Sequence, residues 1–164
     1  MDFPLLLRPR PPWLHLLVAP EPDACALVTA LPGTTVSRLL RGHKAQTTAA
    51  LFDEFAAALQ FPCYFGENWD AFDECITDLA WLPAEAYVFL IVRSIYLLDK
   101  EPGDRLQLFL EILQNAGEEW SNPAPSAPRP RCAFHLLFQC VSEHEAALSA
   151  RLAAAGVAFD VLRP

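Results

Sequence analysis

The sequence predicts a three-layer α/β protein in which helices flank a small, largely parallel sheet. Short apolar runs typical of strands alternate with helical patterns along the whole chain, which is the order that such folds require. One of these runs, residues 86–92, is almost wholly apolar and rich in Val, Ile and aromatic residues, as expected of a strand covered on both faces. With 164 residues, of which 53% are hydrophobic, the chain can bury one sizeable core.

The first third of the chain predicts two strands and a short helix. Residues 1–12 are rich in Pro and Arg and are expected to be irregular, so a single domain is expected to span residues 13–164. Residues 13–19 form an apolar run suited to a strand, which two prolines end. Asp23 can then cap a short helix, and a Pro-Gly turn leads to a second candidate strand over residues 34–40.

The remaining elements continue this alternation. Thr47 or Thr48 can cap a helix that ends at Leu59, in which apolar residues repeat at helical spacing. The later predicted elements are a helix over residues 104–120, a proline-rich surface connector over 121–131, a strand over 132–138, a helix over 142–154 capped by Ser142, and a last strand over 157–162.

Residues 61–83 combine a turn, a helix start and a dense acidic face. Asn68 is a preferred N-cap residue, so this helix is predicted to begin just after it, and Gly66 gives the chain a permissive backbone before the cap. Asp70, Glu74 and Asp78 follow one another four residues apart on one side of the helix. The apolar residues on the other side are Trp69, Phe72, Cys75, Ile76 and Leu79. One face is therefore predicted to pack, while the other carries negative charge.

The acidic face has a simple alternative explanation, because charged helix faces often serve solubility alone. Like charges at positions i and i+4 repel each other by about 0.2–0.5 kcal/mol per pair. An acid near a helix C-terminus, such as Asp78, is also disfavoured by the helix dipole. No Lys or Arg lies between Lys44 and Arg93, so the negative charge of this helix is expected to be uncompensated. The pattern alone leaves recognition and solubility open.

The same segment resembles the barstar family, the intracellular protein inhibitors of barnase-type ribonucleases. The matching residues are Pro62, Tyr64, Phe65, Gly66, Glu67, Asn68, Asp70, Ala71, Cys75 and Thr77, in the family's order and without a gap. A weaker likeness extends from about Val36 to Phe138. In that family a loop and the following helix plug the active site of the nuclease. The resemblance implies a core of three parallel strands, with the first strand-helix pair and the last helix-strand pair added at the sheet edges.

The resemblance also implies a partner-binding surface. The predicted partner-binding residues are Tyr64, Phe65, Gly66, Asn68, Asp70, Asp73, Glu74 and Asp78. Four of them carry over position by position as partner-facing residues, namely Tyr64, Asn68, Asp70 and Glu74. The resemblance places the acids among them where RNA phosphates would lie.

The chain departs from barstar at three of the positions that face the partner. Barstar has tryptophan where this chain has Asp73 and Leu79, and aspartate where this chain has Glu74. The fold therefore carries over more directly than the identity of the partner.

Charge and cysteine usage favour a cytoplasmic protein with a basic partner. The formal net charge is −8 at pH 7, so nucleic acid and anionic membranes would repel the protein. The five cysteines are widely spaced without a C-x-x-C pair, which indicates reduced, mostly buried thiols, with Cys63 in the recognition loop as the exception. The first residues lack the pattern of a signal peptide, and no apolar run approaches transmembrane length. We expect a protein that is monomeric when free and needs no metal or cofactor.

Two other functions stay open at the level of sequence. A barstar-like domain that has lost nuclease recognition could act as an adaptor or bind a different toxin, as the departures at Asp73, Glu74 and Leu79 would allow. An acidic protein could also be a carboxylate-using hydrolase. The four histidines match no known catalytic arrangement, and we expect His135 to pack inside a strand and His15, His43 and His144 to lie at the surface.

Overall fold

The computed structural model describes residues 4–164, and within that range it contains five strands and five α-helices. The strands are β1 (Leu14–Val18), β2 (Thr35–Arg41), β3 (Ala86–Val92), β4 (Ala133–Cys140) and β5 (Phe159–Leu162). The helices are α1 (Glu21–Thr29), α2 (Thr48–Leu59), α3 (Trp69–Asp78), α4 (Gly103–Ser121) and α5 (Glu145–Ala154). All strands run parallel in the order β2-β3-β4-β1-β5. The predicted α/β class with a parallel sheet is confirmed.

Helical elements cover both faces of the sheet, which gives three layers. Helices α2, α3, α4 and α5 contribute to one large buried cluster, which Phe89 and Ile91 of β3 enter from the sheet. Leu90 and Val92 of the same strand belong to the cluster on the other face, under α1 and the 3-10 helix Pro4–Leu7. Successive residues of β3 thus point to opposite faces, as strand geometry requires. Both faces of the sheet are therefore buried.

The two strands outside the three-stranded core are both added on the β4 side. Strand β1 pairs with β4 and with β5, so of these two strands β1 lies in the interior of the sheet and β5 forms an edge. The prediction that both terminal pairs lie at the sheet edges is therefore wrong for β1. All five residues of β1 are buried, which explains its interior position. That pattern is typical of a parallel strand with neighbours on both sides.

Two of the predicted helix caps are wrong. Helix α1 begins at Glu21, because Pro22 fits the first turn and lets the helix start two residues before Asp23. Asp23 therefore lies inside the first turn, where the helix dipole favours its charge. At the other end of the chain, Ser142 opens a 3-10 turn and the α-helix begins only at Glu145. The tight first turn moves the N-cap position away from the serine.

The N-terminal segment is more ordered than its composition suggests. Residues 1–12 are expected to be irregular. Residues 1–3 lie outside the described range, but Pro4–Leu7 form a 3-10 helix and Leu6 is fully buried against the sheet. The start of α2 follows the prediction, because the hydroxyl of Thr47 accepts a hydrogen bond from the N–H of Ala50.

The histidine of β1 is buried, so the prediction that His15 lies at the surface is wrong. His15 and His135 are both inaccessible, and Nε2 of His15 lies 3.0 Å from Nδ1 of His135. Nε2 of His135 lies 2.9 Å from the carbonyl oxygen of Arg8. Since a carbonyl can only accept, His135 carries its proton on Nε2, and His15 donates from Nε2 to the free nitrogen of His135. The pair ties the N-terminal segment to the sheet.

Candidate protein-binding surface

The loop before α3 is shaped by Asn68. Its side-chain oxygen accepts a hydrogen bond of 2.9 Å from the N–H of Ala71, as an N-cap should, and its side-chain nitrogen donates to the carbonyl of Gly66 at 3.1 Å. A Cβ on Gly66 would stand 3.0 Å from that nitrogen. Glu67, not Gly66, takes the positive φ in this loop. A side chain at position 66 would therefore crowd the capping amide of Asn68, whereas backbone freedom is used at Glu67.

The two aromatic residues of the loop lie in different environments. The ring of Phe65 packs against Phe52 and Phe61, with ring centroids 5.7 and 4.9 Å away. Trp69 at the start of α3 joins the same aromatic cluster through Phe52 at 5.0 Å. Tyr64 is instead 70% exposed. Phe65 thus anchors the loop to the aromatic cluster, while Tyr64 points to solvent.

Helix α3 has the two faces that the sequence predicts. Phe72 and Ile76 are fully buried and Cys75 is nearly so, which fixes this face against the core. All four acids of the helix are exposed, namely Asp70, Asp73, Glu74 and Asp78. The packed face therefore leaves the carboxylates pointing outward together with Tyr64.

The acidic residues influence one another and form one surface. Partial burial raises the pKa of Asp73, and the carboxylates of Glu119, Asp70 and Glu74 raise it further. Partial desolvation also raises the pKa of Tyr64, and the nearby carboxylate of Asp78 adds to this. The eight predicted residues thus lie on one loop and one helix. The carboxylates among them are close enough to interact.

Glu119 belongs to this surface but was not predicted from the sequence. It lies on α4, forty-one residues after Asp78, and its negative charge reaches Asp73 because α3 and α4 pack against each other. The helical spacing of the buried residues in α4 indicates that Glu119 points outward. Only the packing of α4 against α3 shows which surface Glu119 joins. We call the exposed carboxylates of Asp70, Asp73, Glu74, Asp78 and Glu119 together the acidic surface.

Side chains from far along the chain bind the C-terminal carbonyl groups of α3. None of the salt bridges among residues 4–164 involves Asp70, Asp73, Glu74 or Asp78, so the carboxylates of the helix have no ion pair in this range. The indole of Trp120 donates to the carbonyl of Ile76 at 3.0 Å, and the guanidinium of Arg129 donates to the carbonyl of Thr77. Arg129 also lies 3.4 Å from the carboxylate of Glu119. The connector over residues 121–131 therefore does more than cross the surface. It brings a cation to the negative end of the helix dipole.

Leu79 does not belong to the exposed surface. It ends α3 with a left-handed backbone, φ 45°, and only 1% of it is exposed. The prediction that the partner-facing surface differs from barstar at Leu79 is therefore wrong for the free protein, because this side chain completes the packed face. Asp73 and Glu74, the other two departures, are exposed.

A groove of about 760 Å³ adjoins the acidic surface, between the connector and the end of α3. Asp78, Tyr87, Arg129 and Cys132 are among the residues that line it. Burial raises the pKa of Tyr87 to about 12 and that of the Cys132 thiol to about 11. Both groups are thus held in their neutral forms, whereas a catalytic base or nucleophile is usually poised near neutral pH.

Two further findings concern residues 4–164 only. In this range no three or more His, Cys, Asp or Glu side chains are grouped in a way that could hold a metal ion. None of the helices described is long and apolar enough to cross a membrane.

The geometry of loop and helix agrees with a comparison against known families. A family model described as "Barstar (barnase inhibitor)" matches residues 36–156, which is most of the chain. The chain belongs to the barstar family. The match begins in β2 and ends just after α5, so β1, α1 and β5 lie outside it. The prediction that the last helix is an addition to the family domain is therefore wrong, because α5 lies within the match.

Two individual proteins show further similarity. The chain is 28% identical over 81 residues to a protein of Bacillus subtilis strain 168 named "Putative ribonuclease inhibitor YrdF", a match that covers 49% of this chain and 85% of the relative. It is also similar to a chain in a structure titled "Structure of Drosophila ORC bound to AT-rich DNA and Cdc6", with a TM-score of 0.49 and 13% identity. That match covers 92% of this chain and 49% of the other, and a likeness this low says nothing about function.

Proposed function

We propose that this barstar-family protein inhibits a basic ribonuclease by covering its active site with Tyr64 and the acidic surface. The observation that carries the proposal is the exposed set of carboxylates on α3, held in place by a fully buried opposite face. Such a surface attracts a cationic cleft over a distance and excludes RNA by occupying the place of its phosphates. The inhibitor needs no cofactor, metal or direct contact with nucleic acid.

The roles of the loop residues follow from their contacts. Tyr64 is the exposed aromatic residue and is suited to insert into a partner, because tyrosine is enriched among residues that dominate binding energy. Phe65, Gly66 and Asn68 position it, since the ring of Phe65 packs inward and the amide of Asn68 is engaged within the loop. A loop that is already ordered loses less conformational entropy on binding.

Catalysis is not part of the proposal. The groove beside the acidic surface holds a phenol and a thiol whose pKa values are raised away from neutral pH, which does not favour acid-base chemistry there. We further propose that the protein is monomeric before it meets its partner and works in the reducing cytoplasm, which the unpaired thiols favour.

A second candidate is an adaptor that binds a protein other than a ribonuclease. It is supported by Asp73 and Glu74, which are exposed and differ from the residues that barstar has at these positions. The partner would still be basic, but it would lack nuclease activity.

Capture experiments with an inhibition assay separate the two candidates. The immobilised protein should retain a basic protein at low salt and release it as salt rises, and mass spectrometry would identify the captured protein. If that protein hydrolyses RNA and stoichiometric addition of this chain stops the hydrolysis, the inhibitor is supported. A captured partner without ribonuclease activity, or a nuclease whose activity is unchanged in the complex, would favour the adaptor.

A further inference from the structure

Arg129 reaches the acidic surface from outside the segment that resembles the family motif. It lies in the proline-rich connector between α4 and β4, fifty-two residues after Thr77, whose carbonyl accepts a hydrogen bond from its guanidinium. The guanidinium carbon stands 3.6 Å from the centroid of the Trp120 ring, and one nitrogen lies 3.4 Å from Glu119. Only 24% of the Arg129 side chain is exposed. The residue is thus held by a ring, a carboxylate and a main-chain carbonyl at once.

These contacts fix the last turn of α3. A helix leaves its final carbonyl groups without partners inside the helix. Here consecutive carbonyls are satisfied by two side chains from elsewhere in the chain, that of Ile76 by the indole of Trp120 and that of Thr77 by Arg129. Because Arg129 stacks on Trp120, the two donors support each other. The turn that carries Asp78 is therefore clamped against α4.

The charge of Arg129 alone does not explain its place. A cation at the rim of an acidic surface lowers the attraction of that surface for a basic partner. For partner binding its benefit must therefore lie in geometry, and arginine suits this task because its planar group can stack and donate in fixed directions, which lysine cannot.

We propose that Arg129 is a positioning residue for partner recognition, which holds the C-terminal turn of α3 and thereby the placement of Asp78 and Glu74. This inference rests on the proposed function for its consequence in binding, but the clamp itself is a property of the free protein. The connector is then a working part of the recognition surface and not a passive link between α4 and β4.

The clamp is tested by amide hydrogen exchange on the free full-length protein. We compare the wild type with Arg129→Ala and Arg129→Lys, and with Arg131→Ala as a matched control. Arg131 lies in the same connector and carries the same charge, but its guanidinium bonds to the carbonyls of Ser121 and Pro9. In Arg129→Ala the amides of Thr77 and Asp78 should exchange about tenfold faster, since a hydrogen bond from a charged group is lost.

The pattern across variants separates positioning from charge. Arg129→Lys keeps the charge but should also exchange faster than the wild type at the end of α3, while amides of α2 stay unchanged in all variants. Arg131→Ala should leave the exchange of α3 at the wild-type level. If Arg129→Ala leaves the exchange of Thr77 and Asp78 unchanged, or if Arg129→Lys matches the wild type, the positioning role is wrong.

Binding then tests the consequence for recognition. A basic ribonuclease captured and inhibited by the wild type should dissociate about tenfold faster from Arg129→Lys and Arg129→Ala, and at the wild-type rate from Arg131→Ala. Faster exchange with unchanged dissociation would overturn the link between the clamp and recognition. If the wild type inhibits no ribonuclease, the proposed function fails, and the exchange data alone decide whether the clamp exists.

Discussion

The indole ring of Trp13 lies directly against Gly117 of α4. A Cβ placed on Gly117 would stand 2.3 Å from Cγ of Trp13, far inside van der Waals contact. The ring cannot easily move away, because its Nε1 donates a hydrogen bond of 3.0 Å to Glu118. The residue before β1, outside the family match, is thereby locked onto a helix of the family domain.

Gly117→Ala should therefore destabilise the protein, although alanine is the better helix former. Alanine gains about 1 kcal/mol in helix propensity, but overpacking a buried contact costs about 1–3 kcal/mol and here also disturbs the Trp13 hydrogen bond. Urea denaturation measures the net effect. Gly103→Ala is the matched control, because nothing lies within 4 Å of its Cβ at the start of the same helix. A Gly117→Ala protein more stable than the wild type would contradict the packing.

The buried histidine pair should make the protein less stable as pH falls. Burial, together with the neighbouring His135, lowers the pKa of His15 from 6.5 to about 3. Below pH 6.5 the unfolded chain binds a proton at His15 that the folded protein does not bind. Protonation therefore stabilises the unfolded state and not the folded state. Between pH 7 and pH 5 the free energy of unfolding should fall by about 2 kcal/mol from His15.

Denaturation curves at both pH values measure this loss, with His15→Leu as the comparison. The variant lacks the titrating group, so its stability should fall less between pH 7 and pH 5, whatever its absolute stability. Burial lowers the pKa of His135 as well, so some pH dependence should remain. Equal losses in the two proteins would mean that His15 is not held neutral by the fold.

The cysteines should differ in reactivity according to burial. Cys63 is exposed in the loop before α3, whereas Cys75, Cys132 and Cys140 are buried, and burial raises the pKa of all three buried thiols. Iodoacetamide should therefore label Cys63 first in the native protein, as mass spectrometry of peptides would show. A bound partner should slow this labelling. Rapid labelling of Cys75, or two intramolecular disulfides in the unreduced protein, would contradict the arrangement.

Barnase itself should be a poor partner. Glu74 extends its carboxylate by one methylene beyond the aspartate of barstar, and Asp73 replaces an aromatic residue on the exposed surface, so a desolvated charge pair is misplaced and an anchor is lost. An inhibition assay with barnase measures this directly. Glu74→Asp should improve the inhibition. Nanomolar inhibition of barnase by the wild type would show that these departures do not determine the partner.

The sequence predicted several features that depend on local chemistry, although Asp23 and Ser142 do not cap α1 and α5. Asn68 caps α3 as its residue type predicts, and the period of Phe72 and Ile76 correctly gives the packed face. The cap and the apolar spacing each depend only on residues within one turn or one helix. The parallel sheet follows in the same way from the alternation of strands and helices.

What the sequence could not give are contacts between distant segments. Arg129 reaches the end of α3 across fifty-two residues, and His15 meets His135 across one hundred and twenty. Neither pair has a spacing or a motif that marks it. The position of β1 beside β4 is of the same kind, because an apolar run fits an interior strand on either side of a sheet.

The acidic surface should trade stability of the free protein for binding. Glu74→Gln and Asp78→Asn each remove repulsion of about 0.2–0.5 kcal/mol per pair, so the free protein should become equally or slightly more stable. Asp70→Asn should not, because Asp70 lies in the first turn, where the helix dipole favours its charge. Asp23→Asn is the control for binding, since it removes the same charge from α1 on the opposite face of the sheet.

The central claim is tested most directly by the association and dissociation kinetics of Glu74→Gln with the captured ribonuclease, over a range of salt concentrations. Loss of one central carboxylate should weaken binding by about 2–5 kcal/mol, and the association rate of the wild type should fall as salt rises. Asp23→Asn should bind like the wild type. Unchanged affinity of Glu74→Gln together with a salt-insensitive association rate would mean that the acidic surface is only solvated, and the inhibitor function would be wrong.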